Sequence, residues 1–261
     1  MKEILNKIFN EDCLDLMERL PLHFVDTVMT SPPYNTSRPG SALDKACANI
    51  RYDDYDDSKT EEEYIFWTLK IFKAFDLILK ENGNVLYNMS YSSENTTLIW
   101  NVIAAIQQKT KFKVADCIVW KKPSTSPNSC SPNKLTRICE FVFVFCREEE
   151  IDTFYMNKGI SSTRKTGQIA YKNIFNYVTA PNNDGPCDIH KATYSTELCA
   201  KLMSMYTPSG GVVFDPFMGT GTTALACIRY GFHYVGAEIS KRYCEYADKR
   251  LSLEMKQLKL F

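Results

Sequence analysis

A short polar segment, Thr30-Ser31-Pro32-Pro33-Tyr34-Asn35, follows the β-branched run Val25–Thr30. Two adjacent prolines cannot continue a strand, so the chain must turn there, and their fixed φ angles make the turn rigid. A hydroxyl at Ser31 and a carbonyl at Pro32 can accept hydrogen bonds from an amino group, and the Tyr34 ring can stack on a planar ring. Such acceptors suit chemistry on an exocyclic amine, a poor nucleophile because its lone pair is delocalised into its ring. The candidate catalytic residues are Ser31, Pro32, Pro33 and Tyr34.

A second segment, Val212–Thr223, reads as a strand, a glycine turn and the start of a helix. Gly219 and Gly221 let the backbone pass close to a ligand, and a threonine after them can cap the helix. Glu238, at the end of the next predicted strand, can accept hydrogen bonds from both hydroxyls of a ribose. The turn has neither the G-x-G-x-x-G of a dinucleotide site nor the lysine of a phosphate loop. A nucleoside ligand without phosphates therefore fits better.

Together, the strings D-P-F-M-G-T-G-T-T, from Asp215, and S-P-P-Y, from Ser31, resemble the two motifs of the amino-methyltransferases that act on DNA. The resemblance implies S-adenosylmethionine as the cofactor and direct transfer of its methyl group, without a covalent enzyme intermediate. It places the glycine turn near the methionine part and Glu238 on the ribose. The catalytic motif precedes the cofactor motif, which is similar to the beta class, where target recognition lies between the two.

Shorter stretches extend the resemblance along most of the chain. Asp12, followed by Cys13, matches the acid near the cofactor's adenine, and Ile118–Pro123 with Arg137 and Glu140 resembles a W-x-K-P…R…E block. The stretch from His190 to Ser195 resembles the one that completes the methionine pocket. The implied cofactor contacts are Asp12, Cys13, Ser31, His190, Lys191, Ser195, Asp215, Pro216, Phe217, Gly219, Gly221, Thr222 and Glu238.

The residue at the first motif position bears on the target base. In this family serine there, preceded by threonine, is more usual for enzymes acting on N4 of cytosine, and aspartate for N6 of adenine. Cytosine has the more basic ring nitrogen, so a neutral acceptor such as Ser31 can suffice. We predict methylation of cytosine N4, with adenine N6 as the alternative and an RNA base or a protein amide as less favoured substrates.

Two other readings are weaker. A cytosine-C5 enzyme needs P-C-Q and E-N-V, and the fragments Pro186-Cys187 and Glu94-Asn95-Thr96 have Asp188 in place of the glutamine and stand in the wrong order. A binding module with a degenerate site should have lost the glycines or the S-P-P-Y string, and both are intact.

The motifs lie among alternating strand and helix signals. They predict an α/β, Rossmann-like methyltransferase fold: a mostly parallel, seven-stranded sheet with helices on both faces. We expect one domain over residues 1–261, with a target-recognition insertion over about 122–186. Strands are expected at Val25–Thr30, Val85–Met89, Val114–Trp120, Phe141–Cys146, Val212–Asp215 and Tyr234–Glu238. Helices are expected at Glu61–Leu79, Thr97–Gln108, Thr196–Met205, Thr222–Tyr230 and Lys241–Gln257.

The formal net charge is zero, from 31 basic and 31 acidic residues, but the middle third is locally basic. A local basic stripe is sufficient for phosphate contacts. Candidate DNA contacts are Lys121, Lys122, Arg137, Arg164 and Lys165. Double-stranded DNA is the expected partner, and the resemblance adds a homodimer and a cognate restriction endonuclease.

The ten cysteines form no C-x-x-C pair, and there are only three histidines, so no metal is expected. Several cysteines lie in apolar runs, such as Cys146 and Cys227, and these are expected to be small buried side chains. The chain has no apolar run of about 18 residues and no signal-peptide pattern, which predicts a cytoplasmic protein without a membrane partner.

Overall fold

The computed structural model describes residues 3–35, 59–91, 95–125, 127, 132–185, 189 and 193–258. Within these ranges the strands are β1 (Lys7–Phe9), β2 (Val25–Thr30), β3 (Leu79–Met89), β4 (Phe112–Lys121), β5 (Cys139–Arg147), β6 (Ile160–Thr163), β7 (Ile169–Tyr171), β8 (Tyr177–Thr179), β9 (Val212–Asp215) and β10 (His233–Ala237). The α-helices are α1 (Cys13–Arg19), α2 (Glu61–Ile78), α3 (Leu98–Lys109), α4 (Thr196–Tyr206), α5 (Thr222–Tyr230) and α6 (Lys241–Leu258), with a 3-10 turn at Glu148–Glu150.

Eight of these strands form one sheet, in the order β1-β10-β9-β2-β3-β5-β4-β8. All neighbouring pairs are parallel except the two that involve β5, which runs antiparallel to β3 and β4. The predicted number of seven strands was wrong. The two edge strands β1 and β8 have three residues each, too few for an alternating pattern to identify them.

Helices cover both faces of the sheet, as predicted. On one face α1, α2 and α3 bury residues such as Leu16, Phe72 and Ile99. On the other face α4, α5 and α6 bury residues such as Met203 and Leu251. The fold is therefore the predicted Rossmann-like α/β fold, with a core on each side of a single sheet.

Part of the segment predicted as an insertion belongs to the sheet. Residues 122–186 include β5, in the middle of the sheet, and β8, at its edge. The hairpin of β6 and β7 forms a separate two-stranded sheet, and all four residues of β6 are exposed. Among the described residues of this segment, the β6–β7 hairpin is thus the paired part outside the main sheet.

At the amino edge of the parallel strands, a buried arginine ties β5 to β3 and α2. Arg147 donates to Asp76 Oδ1 at 2.6 Å and to the carbonyls of Leu79 and Lys80 at 2.9 and 3.0 Å. Burial raises the pKa of Asp76, but hydrogen bonds from Arg147 and Lys111 hold it below its ordinary value. The stability that this carboxylate contributes is therefore present near neutral pH and is lost as the pH falls below the ordinary value for aspartate.

Arg147→Ala is expected to lower the free energy of unfolding by about 3–5 kcal/mol, because it takes the guanidinium away from the Asp76 and Glu150 carboxylates and leaves backbone carbonyls without their donor. Urea denaturation measures this. Arg19→Ala is the control, since the Arg19 side chain is 51% exposed in its ion pair with Glu11 and such pairs contribute about 1 kcal/mol or less. Equal urea midpoints for the two variants would contradict the structural role of Arg147.

Candidate active site

The two signature motifs meet at one edge of the sheet. Strands β2 and β9 are parallel neighbours, with Thr27 opposite Val213 and Val28 opposite Phe214. Ser31 follows β2, and the glycine turn follows β9, so both leave the sheet at its carboxyl edge. Glu238 follows β10, the next strand along. Open α/β sheets bind their ligands at this edge.

The glycine turn has the backbone that its sequence predicts. Gly219 and Gly221 have φ angles of +53° and +82°, a region that side chains with a Cβ disfavour. A Cβ on Gly221 would also lie 2.9 Å from the Cβ of Ala247 on α6. The carboxylate of Glu238 accepts from the backbone N–H of Gly219 at 2.8 Å and of Ser240 at 2.9 Å. Each carboxylate oxygen has further acceptor capacity for a ligand hydroxyl.

Asp215 holds the glycine turn in place through hydrogen bonds to its buried carboxylate. Its buried carboxylate accepts hydrogen bonds from the backbone N–H of Phe217 at 3.0 Å and from the hydroxyls of Thr223 and Tyr194 at 2.5 and 3.0 Å. Burial raises the pKa of Asp215, and these hydrogen bonds oppose the rise. Burial and the nearby Asp215 raise the pKa of Tyr194 well above its ordinary value. Tyr194 therefore remains a protonated donor.

Some of the other predicted cofactor residues lie around this turn, and others cap helices. Asp12 accepts from the N–H of Leu14 at 2.7 Å and caps α1, which begins with the buried Cys13. The Phe217 ring lies 5.4 Å from the ring of Trp67. Ser195 caps α4, and the Thr222 hydroxyl accepts from Arg250 at 3.1 Å. His190 and Lys191 lie outside the described residues, and Pro216 lies in the turn itself.

The S-P-P-Y loop borders a cavity of about 250 Å³. The Tyr34 hydroxyl lies 3.1 Å from Ser31 Oγ and donates to Glu140 Oε2 at 3.2 Å. Asn88 donates through Nδ2 to the Tyr34 oxygen at 2.8 Å and to Glu140 Oε2 at 3.0 Å, and Lys122 forms an ion pair with Glu140. Tyr194 also lines this cavity, so it joins the cavity to the Asp215 turn.

The loop is also fixed to the helical layer. The buried Tyr64 of α2 donates its hydroxyl proton to the carbonyl of Pro33 at 2.6 Å. Pro32 and Pro33 are themselves buried. The backbone of the loop is therefore held on both sides, by α2 and by the cavity network.

A family model described as DNA methylase matches residues 25–249. The chain belongs to the N6/N4 family of DNA methylases. The predicted beta-class amino-methyltransferase is thus confirmed, and S-adenosylmethionine is confirmed as the cofactor at the level of the family and fold.

Curated relatives of this DNA methylase are type II methyltransferases. M.BglII of Bacillus subtilis is 26% identical over 274 residues, which cover 97% of this chain and 71% of the relative. M.Cfr9I of Citrobacter freundii is 25% identical over 280 residues, which cover 95% of this chain and 88% of the relative.

Solved structures show the same fold. The PvuII DNA methyltransferase, described as cytosine-N4-specific, has a TM-score of 0.70 at 20% identity over 94% of this chain and 85% of that chain. M1.HpyAVI, solved with S-adenosylmethionine, has a TM-score of 0.61 at 20% identity over 94% of this chain and 98% of that chain.

Sequence reasoning missed part of the methylase cavity. Asn88 is a buried amide at the end of the apolar strand β3, and its position in V-L-Y-N-M was the available signal. Glu140 and Tyr194 were noticed only within motif resemblances. What brings Glu140 to the cavity is the reversed direction of β5, which places its first residues at the carboxyl edge.

The candidate phosphate contacts are not equivalent in the structure. Lys122 is paired with Glu140, and Arg137 lies over the Tyr91 ring at 5.3 Å. Lys121 and Lys165 are exposed, and Arg164 donates to Gln168 at 3.0 Å across the hairpin turn. Residues 153–183 contain four basic residues and no acidic residue: Lys158, Arg164, Lys165 and Lys172. The hairpin region is therefore locally cationic.

The described cysteines are unpaired, and five of these seven are buried. Burial raises the pKa of Cys146 to about 11 and that of Cys244 to about 12, so both stay as thiols at neutral pH. In the part of the chain that the structure describes, no group of histidine, cysteine and acidic residues could hold a metal ion. None of the described helices is long and apolar enough to cross a membrane.

Proposed function

We propose that this DNA methylase transfers the methyl group of S-adenosylmethionine to the exocyclic N4 of cytosine in duplex DNA. The observation that carries the proposal is the serine at the acceptor position. Ser31 borders the base-sized cavity at the carboxyl edge, next to the strand that leads into the glycine turn. A neutral acceptor suits cytosine, whose more basic ring nitrogen leaves less activation to the protein. The name of the PvuII neighbour agrees with this choice.

The residues around the glycine turn fit a nucleoside ligand. The turn lacks a lysine, and the Glu238 carboxylate lies just after β10. The segment before α1 lies beside it, since Asn10 donates to the carbonyls of Glu238 and Ile239 at 2.9 and 2.8 Å. We assign Glu238 to the ribose, Asp12 and Cys13 to the adenine side, and Phe217, Gly219 and Gly221 to the methionine side. When bound, the cofactor supplies an electrophilic methyl group.

The chain's own residues then hold the amine. A base swung out of the duplex enters the cavity, where Ser31 Oγ and the Pro32 carbonyl accept its N–H groups and draw the nitrogen toward tetrahedral geometry. The Tyr34 ring lies against the base. Because Tyr64 holds the carbonyl of Pro33, the acceptors need no rearrangement when the base enters.

Adenine N6 is the second candidate. Adenine offers the same pattern of an amino group beside a ring nitrogen, and the family model covers methylases of both kinds. The Ser31 argument favours cytosine, and the cavity network does not exclude a purine.

The hairpin supplies the expected contact with DNA. Arg164→Ala combined with Lys165→Ala is expected to weaken binding to all duplex sequences alike and to reduce the slope of log K against log salt by about 1 for each lost phosphate contact. Fluorescence anisotropy over a salt series measures both effects. The control is Lys73→Ala combined with Lys109→Ala on α2 and α3, whose side chains are exposed. An unchanged salt slope in the hairpin variant would remove the hairpin from the interface.

The relatives' names extend the proposal to a biological setting. Type II methyltransferases are the curated relatives, so we assign this methylase to a restriction-modification system with a cognate endonuclease. The homodimer expected from the sequence stays a prediction.

Nucleoside mass spectrometry tests the proposal. Unmethylated duplex DNA is incubated with the protein and S-adenosylmethionine and then digested to nucleosides. N4-methylcytosine is the expected product. N6-methyladenine would overturn the base assignment alone, and the absence of any methylated nucleoside would overturn the DNA substrate.

A further inference from the structure

Glu140 determines which groups donate and which accept hydrogen bonds around the S-P-P-Y cavity. A carboxylate only accepts hydrogen bonds, so Glu140 fixes the donors around it. The Tyr34 hydroxyl gives its proton to Glu140 Oε2, and Asn88 must turn its Nδ2 toward the same oxygen. Lys122 pairs with the other oxygen, Oε1. The ionised Glu140 thus sets the orientation of its neighbours.

The direction of the Tyr34 hydroxyl in turn determines the direction of the Ser31 hydroxyl. The Tyr34 hydrogen is directed to Glu140, so the contact of 3.1 Å between Ser31 Oγ and the Tyr34 oxygen has Ser31 as its donor. The Ser31 hydrogen is then directed away from the substrate. Asn88 Nδ2 makes one long contact of 3.4 Å to Ser31 Oγ, and the other lone pair can accept an incoming N–H. The geometry is a continuous path from Ser31 through the Tyr34 hydroxyl to Glu140.

Asn88 provides a further acceptor in the cavity, beside Ser31 Oγ and the Pro32 carbonyl. Its side chain lines the cavity and is only 4% exposed. With Nδ2 held by Tyr34 and Glu140, its Oδ1 is a buried oxygen that has no hydrogen-bond partner among the described residues. A buried acceptor without a partner is unfavourable, and an amino N–H in the cavity would satisfy it.

We propose that the Tyr34 hydroxyl and Glu140 form a proton relay with Ser31, in which Glu140 is the final acceptor of the proton that the methylated amine loses. The proposal rests on the proposed function, because it needs an amine in this cavity. It gives Tyr34 a second role, through its hydroxyl, beside the stacking of its ring. Glu140 acts on the amine through Tyr34 and Ser31.

The step balances in atoms and charge. The nitrogen lone pair forms the N–C bond, and the C–S bond breaks with its electron pair going to sulfur. One N–H bond then breaks as its proton passes to Ser31 Oγ, while the Ser31 proton passes to the Tyr34 oxygen and the Tyr34 proton to Glu140 Oε2. The positive charge lost by the sulfonium and the negative charge lost by Glu140 cancel. Lys122 keeps its charge throughout and holds Glu140 in place.

Tyr34→Phe tests the relay directly, because it keeps the ring and removes only the hydroxyl. The single-turnover rate of methyl transfer is expected to fall by about 10²-fold, the usual loss when a positioned proton-transfer group is removed. The dissociation constants for cofactor and DNA should stay within about 2-fold, since no binding contact is lost. The control is Tyr230→Phe, on a tyrosine that is 57% exposed at the end of α5, which should keep the wild-type rate.

A double-variant comparison tests whether Glu140 and Tyr34 act in one path. Groups that act as one path give non-additive losses. Glu140→Gln combined with Tyr34→Phe should therefore lose no more than the more damaged single variant. A wild-type rate for Tyr34→Phe, or losses that multiply in the double variant, would overturn the relay. A wild-type protein that methylates no DNA would overturn the proposed function instead, so the two failures are distinguishable.

Discussion

Ser31→Ala is expected to lower the single-turnover rate of methyl transfer by about 10²–10³-fold. Ser31 is the side chain that joins the cavity to the relay, with its Oγ 3.1 Å from the Tyr34 hydroxyl, and alanine removes both the acceptor and the proton path. Ser31→Ala should lower the rate of methyl transfer and leave the affinity for the cofactor unchanged. Rapid-quench measurement with labelled cofactor gives the rate, and calorimetry gives the affinity for the cofactor.

Ser204→Ala is the matched control for this result. Ser204 is an exposed serine of α4 whose hydroxyl donates to the Lys201 carbonyl at 2.8 Å, far from the carboxyl-edge loops. It should methylate at the wild-type rate. If Ser31→Ala does the same, the S-P-P-Y loop is not the catalytic loop.

Gly221→Val is expected to weaken cofactor binding by about 10²-fold or more, since displacement of a binding element by about 1 Å can cost this much. Valine must adopt the φ of +82° found at Gly221, which costs roughly 1–2 kcal/mol or more for a β-branched residue. Its Cβ would also lie 2.9 Å from that of Ala247, so the turn must move. Titration calorimetry with S-adenosylmethionine measures the affinity.

A valine at Gly231, at the other end of α5, separates the effect of backbone strain from that of the close contact with Ala247. Gly231 has a similar φ of +76°, but a Cβ there meets no heavy atom within 4 Å. Gly231→Val should therefore lose stability through backbone strain and keep its affinity for the cofactor. Equal cofactor affinities for the Gly221 and Gly231 variants would mean that the turn does not form the cofactor site.

The elements predicted best from the sequence are those marked by a pattern of neighbouring residues. The bounds of β2, β9 and α5 agree with the prediction, because buried apolar runs and a glycine turn mark them. β3 contains a bulge before its predicted start: the pairing with β2 jumps from Leu79 to Asn84, and Asn82 has a φ of +59°. The strand consequently begins six residues before its predicted start at Val85.

The missing part of the site depends on contacts between distant segments. Glu140 reaches the Tyr34 hydroxyl only because β5 enters the sheet in reverse between β3 and β4. No local pattern in Phe141–Cys146 distinguishes an antiparallel strand from a parallel one. The motif positions could thus be read from the chain, whereas the polar network that orients them required the sheet topology.

Single-molecule sequencing of DNA from a methylation-free host that expresses this chain shows whether Ser31 is needed for methylation of cytosine N4. We expect N4-methylcytosine at every copy of one short sequence, and unmodified cytosine at the same copies when the host expresses Ser31→Ala. Unmodified DNA with the wild-type chain, or modification that persists with Ser31→Ala, would contradict this expectation.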